Sequence, residues 1–341
     1  MSSRLFGAGF EGTSLSRPER RILERYPPRA VILFARNLGT EEQLDELIAD
    51  LEALPGPPFL CVDQEGGTVD RFQAMLGPSL SLRRAARSGN ARRAGELAGE
   101  ICAHFGISVD LAPVVDLAVP GAGERILGER SAGGSAEEVF AAARDFLDGL
   151  HSRGVGGCLK HFPGLGRAAL DTHASLPRLP DDAEAQERDL RPFRELMREA
   201  RAVMISHAAG ADGMPASLSP AIGTDLLRGR LGFDGAAFSD DLEMGALGAF
   251  GDLPERSAAA SRAGCDLLFV CRRIEVLPDC VDSVGRKVTP ERRLEAEARL
   301  TAYERHLEEL RLRRPPPLPV SQLVRAIRDL RERAEEAPGR A

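Results

Sequence analysis

Apolar residues in this 341-residue chain gather into eight short runs, each followed by a stretch with helical spacing. The runs cover residues 5–10, 30–34, 59–63, 107–116, 157–162, 203–207, 236–240 and 266–271. They are nearly continuous in hydrophobicity rather than alternating, the pattern of parallel strands buried on both faces. The intervening segments carry helix signals. Thr40-Glu-Glu-Gln43 has the form of a capping box, followed by a stripe of Leu44, Leu47, Ile48, Leu51 and Leu54. Ser135-Ala-Glu-Glu138 repeats the form ahead of Val139, Ala143, Phe146 and Leu150, and Gly264 stands where a helix over 255–263 should end. Eight such units predict an α/β fold of the (β/α)8 TIM-barrel type, with a doubly wound open sheet as the alternative. The barrel is expected over residues 1–314. A proline-rich spacer and a terminal helix follow over 315–341, where Leu323, Val324, Ile327 and Leu330 recur at helical spacing. That helix is expected to dock back on the barrel rather than bind a partner.

Composition narrows the function. Apolar residues make up 43% and charged residues 28%, which excludes a disordered, collagenous or simple coiled-coil chain. A net charge of −7 argues against nucleic acid as partner. No apolar run approaches the roughly 18–20 residues of a membrane span, and the first residues lack a signal peptide's apolar stretch. A cytoplasmic protein without membrane contact, a monomer, is expected. The six cysteines form no CxxC pair and are expected as buried free thiols. Among 45 basic residues only Lys160 and Lys287 are lysines. A lysine surviving such a bias marks a place where a compact ammonium does what a guanidinium cannot.

Barrel active sites are built at the C-terminal ends of strands. Polar residues concentrate there: Asp63-Gln-Glu-Gly-Gly67 with Arg71, Asp116, Lys160-His161, Ser206-His207, Ser239-Asp240-Asp241 and Cys271-Arg272-Arg273. After the fifth run, a glycine-bearing loop carries Asp171 and His173, two residues apart and so on one side of an extended segment. A carboxylate beside an imidazole orients the ring and raises its pKa, which suits a proton donor near neutral pH. An incidental histidine on a solvated loop is the plainer alternative. Residues 117–134 read as a long glycine-rich loop bearing Arg125 and Arg130. Asp240 or Asp241 also fits the cap of a helix starting near Leu242, and His161 and His207 also fit core histidines bonded to backbone. No ligand spacing supports a metal site, and no metal or cofactor is expected.

Together these segments resemble the family 3 glycoside hydrolases, in particular the single-domain bacterial β-N-acetylglucosaminidases of peptidoglycan recycling. The resemblance is carried by Asp63-Gln-Glu-Gly-Gly67 with Arg71, Ala112-Pro-Val-Val-Asp116, Gly128-Glu-Arg-Ser131, Lys160-His-Phe-Pro-Gly164, Asp171-Thr-His173, Met204-Ile-Ser-His207, Phe238-Ser-Asp-Asp-Leu-Glu-Met244 and Ala263-Gly-Cys-Asp266. It implies a retaining exo-β-N-acetylglucosaminidase acting by double displacement on a carbohydrate partner that contains N-acetylglucosamine. Asp240 would be the nucleophile, and His173, oriented by Asp171, the acid and base. Asp63, Arg71, Arg130, Lys160 and His161 would hold the sugar. Leu165, Ala132 and Thr68 depart from the family pattern, which bears on the leaving group more than on the reaction. Alternatives are a glycosidase or phosphorylase of other sugar specificity, a Schiff-base lyase using Lys160, and a sugar-binding protein without catalysis.

Overall fold

The structure, a computed structural model, describes residues 2–170, 176–179 and 182–336. Its contacts divide it into two compact units. The first comprises the described residues of Met1–Leu60, Ala168–Asp181 and Ala202–Glu304. The second comprises Cys61–Arg167, the segment from Asp182 to Arg201, and the described residues from Arg305 onward.

In the first unit the strand Phe6–Ala8 lies between Ala30–Leu33 and Leu268–Val270, parallel to both. Ala202–Ile205 pairs in parallel with Ala236–Ser239, and a parallel bridge from Phe238 to Leu267 continues the row. Every residue of these five strands is buried, which is why their runs are continuously apolar. Gly7-Ala-Gly-Phe-Glu-Gly12 has the spacing of a dinucleotide fingerprint, but it begins within the first strand and no α-helix starts until Arg17. These glycines serve packing: a Cβ at Gly7 would meet the Phe269 ring at 2.4 Å, and one at Gly9 the Cys271 carbonyl oxygen at 2.1 Å.

The helix Glu41–Glu52 buries Leu44, Leu47, Ile48 and Leu51. Its cap is half of the expected box. Thr40 accepts from the Gln43 backbone, but the Gln43 side chain accepts from Gly39 N instead of Thr40 N. Full capping boxes occur at Ser16 and Asp252, where Glu19 and Glu255 reach back. Gly264, at φ 120°, ends the helix Leu253–Ala263 as expected. Buried Tyr303 sets its ring edge-on to Phe59 and Phe238, and fully enclosed Arg29 pairs with Glu297 and Glu304.

In the second unit Cys61 and Val62 pair in parallel with Val109–Asp110, which pairs in turn with Gly156–Gly157. A bridge from Val114 to Lys160 carries the pairing onto Leu159–Phe162. Ser135 and Glu138 complete the expected capping box of Ala136–Ser152. This helix packs on Ala91–His104 with backbones in contact: a Cβ at Gly95 would lie 2.0 Å from the Phe146 carbonyl oxygen. The segment 117–134 is not one long loop. It folds into a helix, Ala122–Leu127, and a 3-10 turn, Gly128–Arg130, because Leu127 and Ala118 close an apolar cluster with Val114. The C-terminal helix Val320–Glu336 buries Leu323, Ile327 and Leu330 and lies on Ala91–His104 and Gln73–Leu76. Leu318 N anchors its approach on Glu100 Oε2 at 3.1 Å.

The α/β class with parallel strands is therefore present, and all eight apolar runs contain strand residues. A closed eight-strand ring is not seen among the described residues; several ladders are only two residues long and continue as single bridges. All six cysteines are buried and free. No helix among the described residues is long and apolar enough to cross a membrane.

Candidate active site

Two constellations sit at strand ends, one in each unit. In the second unit Cys61 and Val62 lead into Asp63, and Leu159–Phe162 delivers Lys160 and His161. The Lys160 ammonium, 2% exposed, lies 2.7 Å from Asp63 Oδ1 and 2.5 Å from Glu65 Oε1. Asp63 Oδ2 receives Arg71 Nη2 at 3.2 Å. Arg130 grips Glu65 with two parallel bonds, Nε to Oε2 at 2.7 Å and Nη2 to Oε1 at 2.9 Å. His161 Nδ1 lies 2.7 Å from Asp116 Oδ2, and its Nε2 lies 3.3 Å from Arg130 Nη2. Because Arg130 has only protons to offer, Nε2 accepts and Nδ1–H donates to Asp116.

Three cations and three carboxylates thus interlock. Burial alone would raise the carboxyls of Asp63 and Glu65. For Asp63, Lys160 and Arg71 outweigh it and hold the group at about 2. For Glu65, Lys160 and Arg130 bring it below its ordinary range. Lys160 and Arg130 would lose basicity through burial, but the carboxylates they face raise both. Asp63, Glu65, Lys160 and Arg130 are therefore charged at neutral pH. That fixed, paired array is suited to exchanging hydrogen bonds with the hydroxyls of a polyol, and it disfavours an amine that must shed its proton to form a Schiff base.

A supporting layer holds these residues. Asp116 takes His161 through both its backbone N, at 3.0 Å, and its ring, and Asp116 Oδ1 accepts from Leu165 N at 2.6 Å. Leu165 packs on the cluster of Val114, Ala118 and Leu127. Asp110 is fully buried, and its carboxyl is pushed up to about 8 by that burial, opposed by a bond from Gln64 N and by Lys160.

In the first unit Asp240 ends the strand Ala236–Ser239, with its N–H on Ile205 O at 3.1 Å. Asp240 Oδ1 accepts from Asp241 N at 2.8 Å. No helix starts at Leu242; Asp241 instead accepts from Glu243 N at 3.0 Å and closes a turn. The capping alternative for these acids therefore fails, since the chain runs on into the 3-10 turn Gly245–Leu247. Burial, joined by Glu243 and Asp240, raises the Asp241 carboxyl to about 6. His207 is buried between Ser217 Oγ, 2.7 Å from Nδ1, and the Asp241 carbonyl, 2.8 Å from Nε2. Its ring is a packing and hydrogen-bonding element, as the core-histidine alternative has it.

Of the expected site residues, Asp63, Arg71, Arg130, Lys160 and His161 come together in one network. Asp240 stands at its strand end in the other unit. Asp171 and His173 lie outside the described residues. Glu65 was not singled out, although an acid two residues beyond Asp63 in an extended segment falls on the same side of the chain. Among the described residues no three His, Cys, Asp or Glu side chains group as a metal site requires.

Parallel strands that carry charged side chains at their ends define an α/β enzyme architecture. Residues 10–302 match the glycosyl hydrolase family 3 N-terminal domain. A beta-hexosaminidase of Alkalilimnicola ehrlichii is 39% identical over 286 residues, 79% of this chain and 81% of that protein. One of Thioalkalivibrio sulfidiphilus is 36% identical over 296 residues, 82% of this chain and 84% of that one. Among solved structures, NagZ of Neisseria gonorrhoeae in complex with N-trifluoroacetyl-D-glucosamine superposes with a TM-score of 0.80 at 27% identity, covering 98% of this chain and 96% of that one. The chain belongs to glycosyl hydrolase family 3, and it is a glycoside hydrolase.

Proposed function

We propose that this enzyme is a retaining exo-β-N-acetylglucosaminidase that removes terminal non-reducing N-acetylglucosamine from peptidoglycan fragments in the cytoplasm, as a monomeric (β/α)8 barrel. The carrying observation is the buried Lys160 ammonium shared by Asp63 and Glu65, with Arg71, Arg130 and His161 around it. Its donors and acceptors suit the hydroxyls and the N-acetyl group of such a sugar, and the curated relatives bear the name beta-hexosaminidase.

In this reading an Asp240 carboxylate oxygen attacks the anomeric carbon while the bond to the leaving oxygen breaks and that oxygen takes a proton from His173. The product is a covalent glycosyl-enzyme. Neutral His173 then removes a proton from water, whose oxygen attacks the same carbon and frees Asp240, so two inversions give net retention. Asp171 orients the imidazole and favours its protonated form. A histidine is ready to donate near pH 7 without the deep burial that a carboxylic acid needs.

The test is chromophore release from an aryl N-acetyl-β-glucosaminide. Asp240→Ala is expected to lose at least about a thousandfold in kcat. A 2-acetamido-5-fluoro glycosyl fluoride should label a peptide containing Asp240; labelling elsewhere overturns the nucleophile assignment. Repeating the assay with an aryl glucoside, and with added phosphate, separates this reading from another sugar specificity and from phosphorolysis.

A further inference from the structure

Gln64 is 1% exposed and bonds to Arg71 N, Phe72 N, Asp70 Oδ1, Ser79 Oγ and Asp110 Oδ1. Its Oε1 accepts from Arg71 N at 3.1 Å and from Phe72 N at 3.3 Å. Its Nε2 donates to Asp70 Oδ1 at 2.8 Å and to Ser79 Oγ at 3.3 Å. Its backbone N donates to Asp110 Oδ1 at 2.9 Å. The remaining oxygen of Asp70, Oδ2, accepts from Ser79 N at 2.6 Å. These bonds pin a short antiparallel hairpin, Gln64–Gly66 against Val69–Asp70, with Gly66 at φ 80° where a Cβ would strike the Leu80 carbonyl oxygen. The hairpin aims Arg71 back at Asp63.

We infer that Gln64 is the positioning residue that sets sugar affinity, by clamping the Arg71 and Phe72 amides so that the Arg71 guanidinium meets Asp63 in one geometry. The clamp has a direction. The Gln64 amide must accept on the Arg71 side and donate on the Asp70 side, and no single carboxylate or hydrocarbon does both. The inference rests on the proposed role of Asp63 and Arg71 in holding the sugar.

The polarity gives the test. In Gln64→Glu the new carboxylate still accepts from Arg71 N but faces the Asp70 carboxylate without a proton between them. KM for an aryl N-acetyl-β-glucosaminide should rise about tenfold at pH 8, the loss expected for one charged hydrogen bond, with kcat within about twofold. Adding Asp70→Asn puts an amide donor opposite the new carboxylate while its oxygen still accepts from Ser79 N. The double variant should recover KM to within about threefold of the parent, which a merely disrupted hairpin would not do. An unchanged KM in Gln64→Glu, a fall in kcat with KM unchanged, or failure of the double variant to recover would each overturn the inference. If Gln64→Glu does not fold by circular dichroism, Asp70→Asn alone decides. It turns one donor against either Gln64 Nε2 or Ser79 N, so KM must rise, and an unchanged KM overturns the inference. A parent protein that turns over no N-acetylglucosaminide would instead refute the proposed function.

Discussion

Replacing Lys160 by methionine keeps the length of the side chain and removes the ammonium that two buried carboxylates share. Asp63 and Glu65 are 14% and 3% exposed, so water cannot replace the lost partner. Removing one partner of a buried ion pair costs about 3–5 kcal/mol. A second route reaches a similar size. Against burial, Lys160 and Arg71 hold the Asp63 carboxyl at about 2 instead of its ordinary 3.8. That difference stabilises the fold by about 2.5 kcal/mol at neutral pH, and Glu65 loses support from the same lysine. The sign follows from a depressed carboxyl: its contribution is complete above the unfolded value and is lost as pH falls from about 4 to about 2, with roughly half left at pH 3. Lys160→Met should therefore lose about 3–4 kcal/mol in equilibrium urea unfolding at pH 7, and the gap to the parent should narrow at pH 3. A variant within about 1 kcal/mol of the parent at pH 7, or a gap that stays constant with pH, would show that the Lys160 ammonium does not hold the Asp63 and Glu65 carboxylates.

Two further outcomes test the second unit away from the proposed site. His151, whose ring lies 5.6 Å from that of His306, is lowered to about 4 by burial, aided by His306, and its Nε2 has no hydrogen-bond partner among the described residues. The unfolded chain takes that proton first, so stability should fall by about 3 kcal/mol as pH drops from 6.5 toward 4, and His151→Gln should flatten this limb of a urea-midpoint profile. Ile327, 3% exposed under the C-terminal helix, should lose about 2–4 kcal/mol as Ile327→Ala, read by the same unfolding assay.

Strand positions were legible because burial on both faces leaves few polar positions inside a strand, so mainly apolar runs such as 202–205 and 236–239 print directly in the sequence. The cap of Glu41–Glu52 was only half legible. Thr40 and Gln43 have the right spacing, but Gln43 turns to Gly39 N and the Thr13 carbonyl, a choice made by a contact thirty residues away. The helix Ala122–Leu127 was hidden by its flanking glycines. What orders it is the seating of Leu127 on Val114 and Ala118, a tertiary effect no local pattern reports.

The site divides along the same line. Lys160 was visible through bias: one of two lysines in a chain that otherwise uses arginine, at the end of an apolar run. Of its two partners, Asp63 was visible as a charged residue at another strand end, since parallel strands bring their C-terminal ends to one side, whereas Glu65, two residues further on, was not. What no spacing reveals is the polarity of the hydrogen bonds. Asp116 accepts from the backbone of both His161 and Leu165, and Gln64 accepts on one side and donates on the other. These assignments depend on which backbone N–H groups are left over once the strands have paired, and so on where each two-residue ladder stops. Strand register therefore decides the supporting layer, and the supporting layer decides whether Arg71, Arg130 and His161 meet a ligand in one geometry or several.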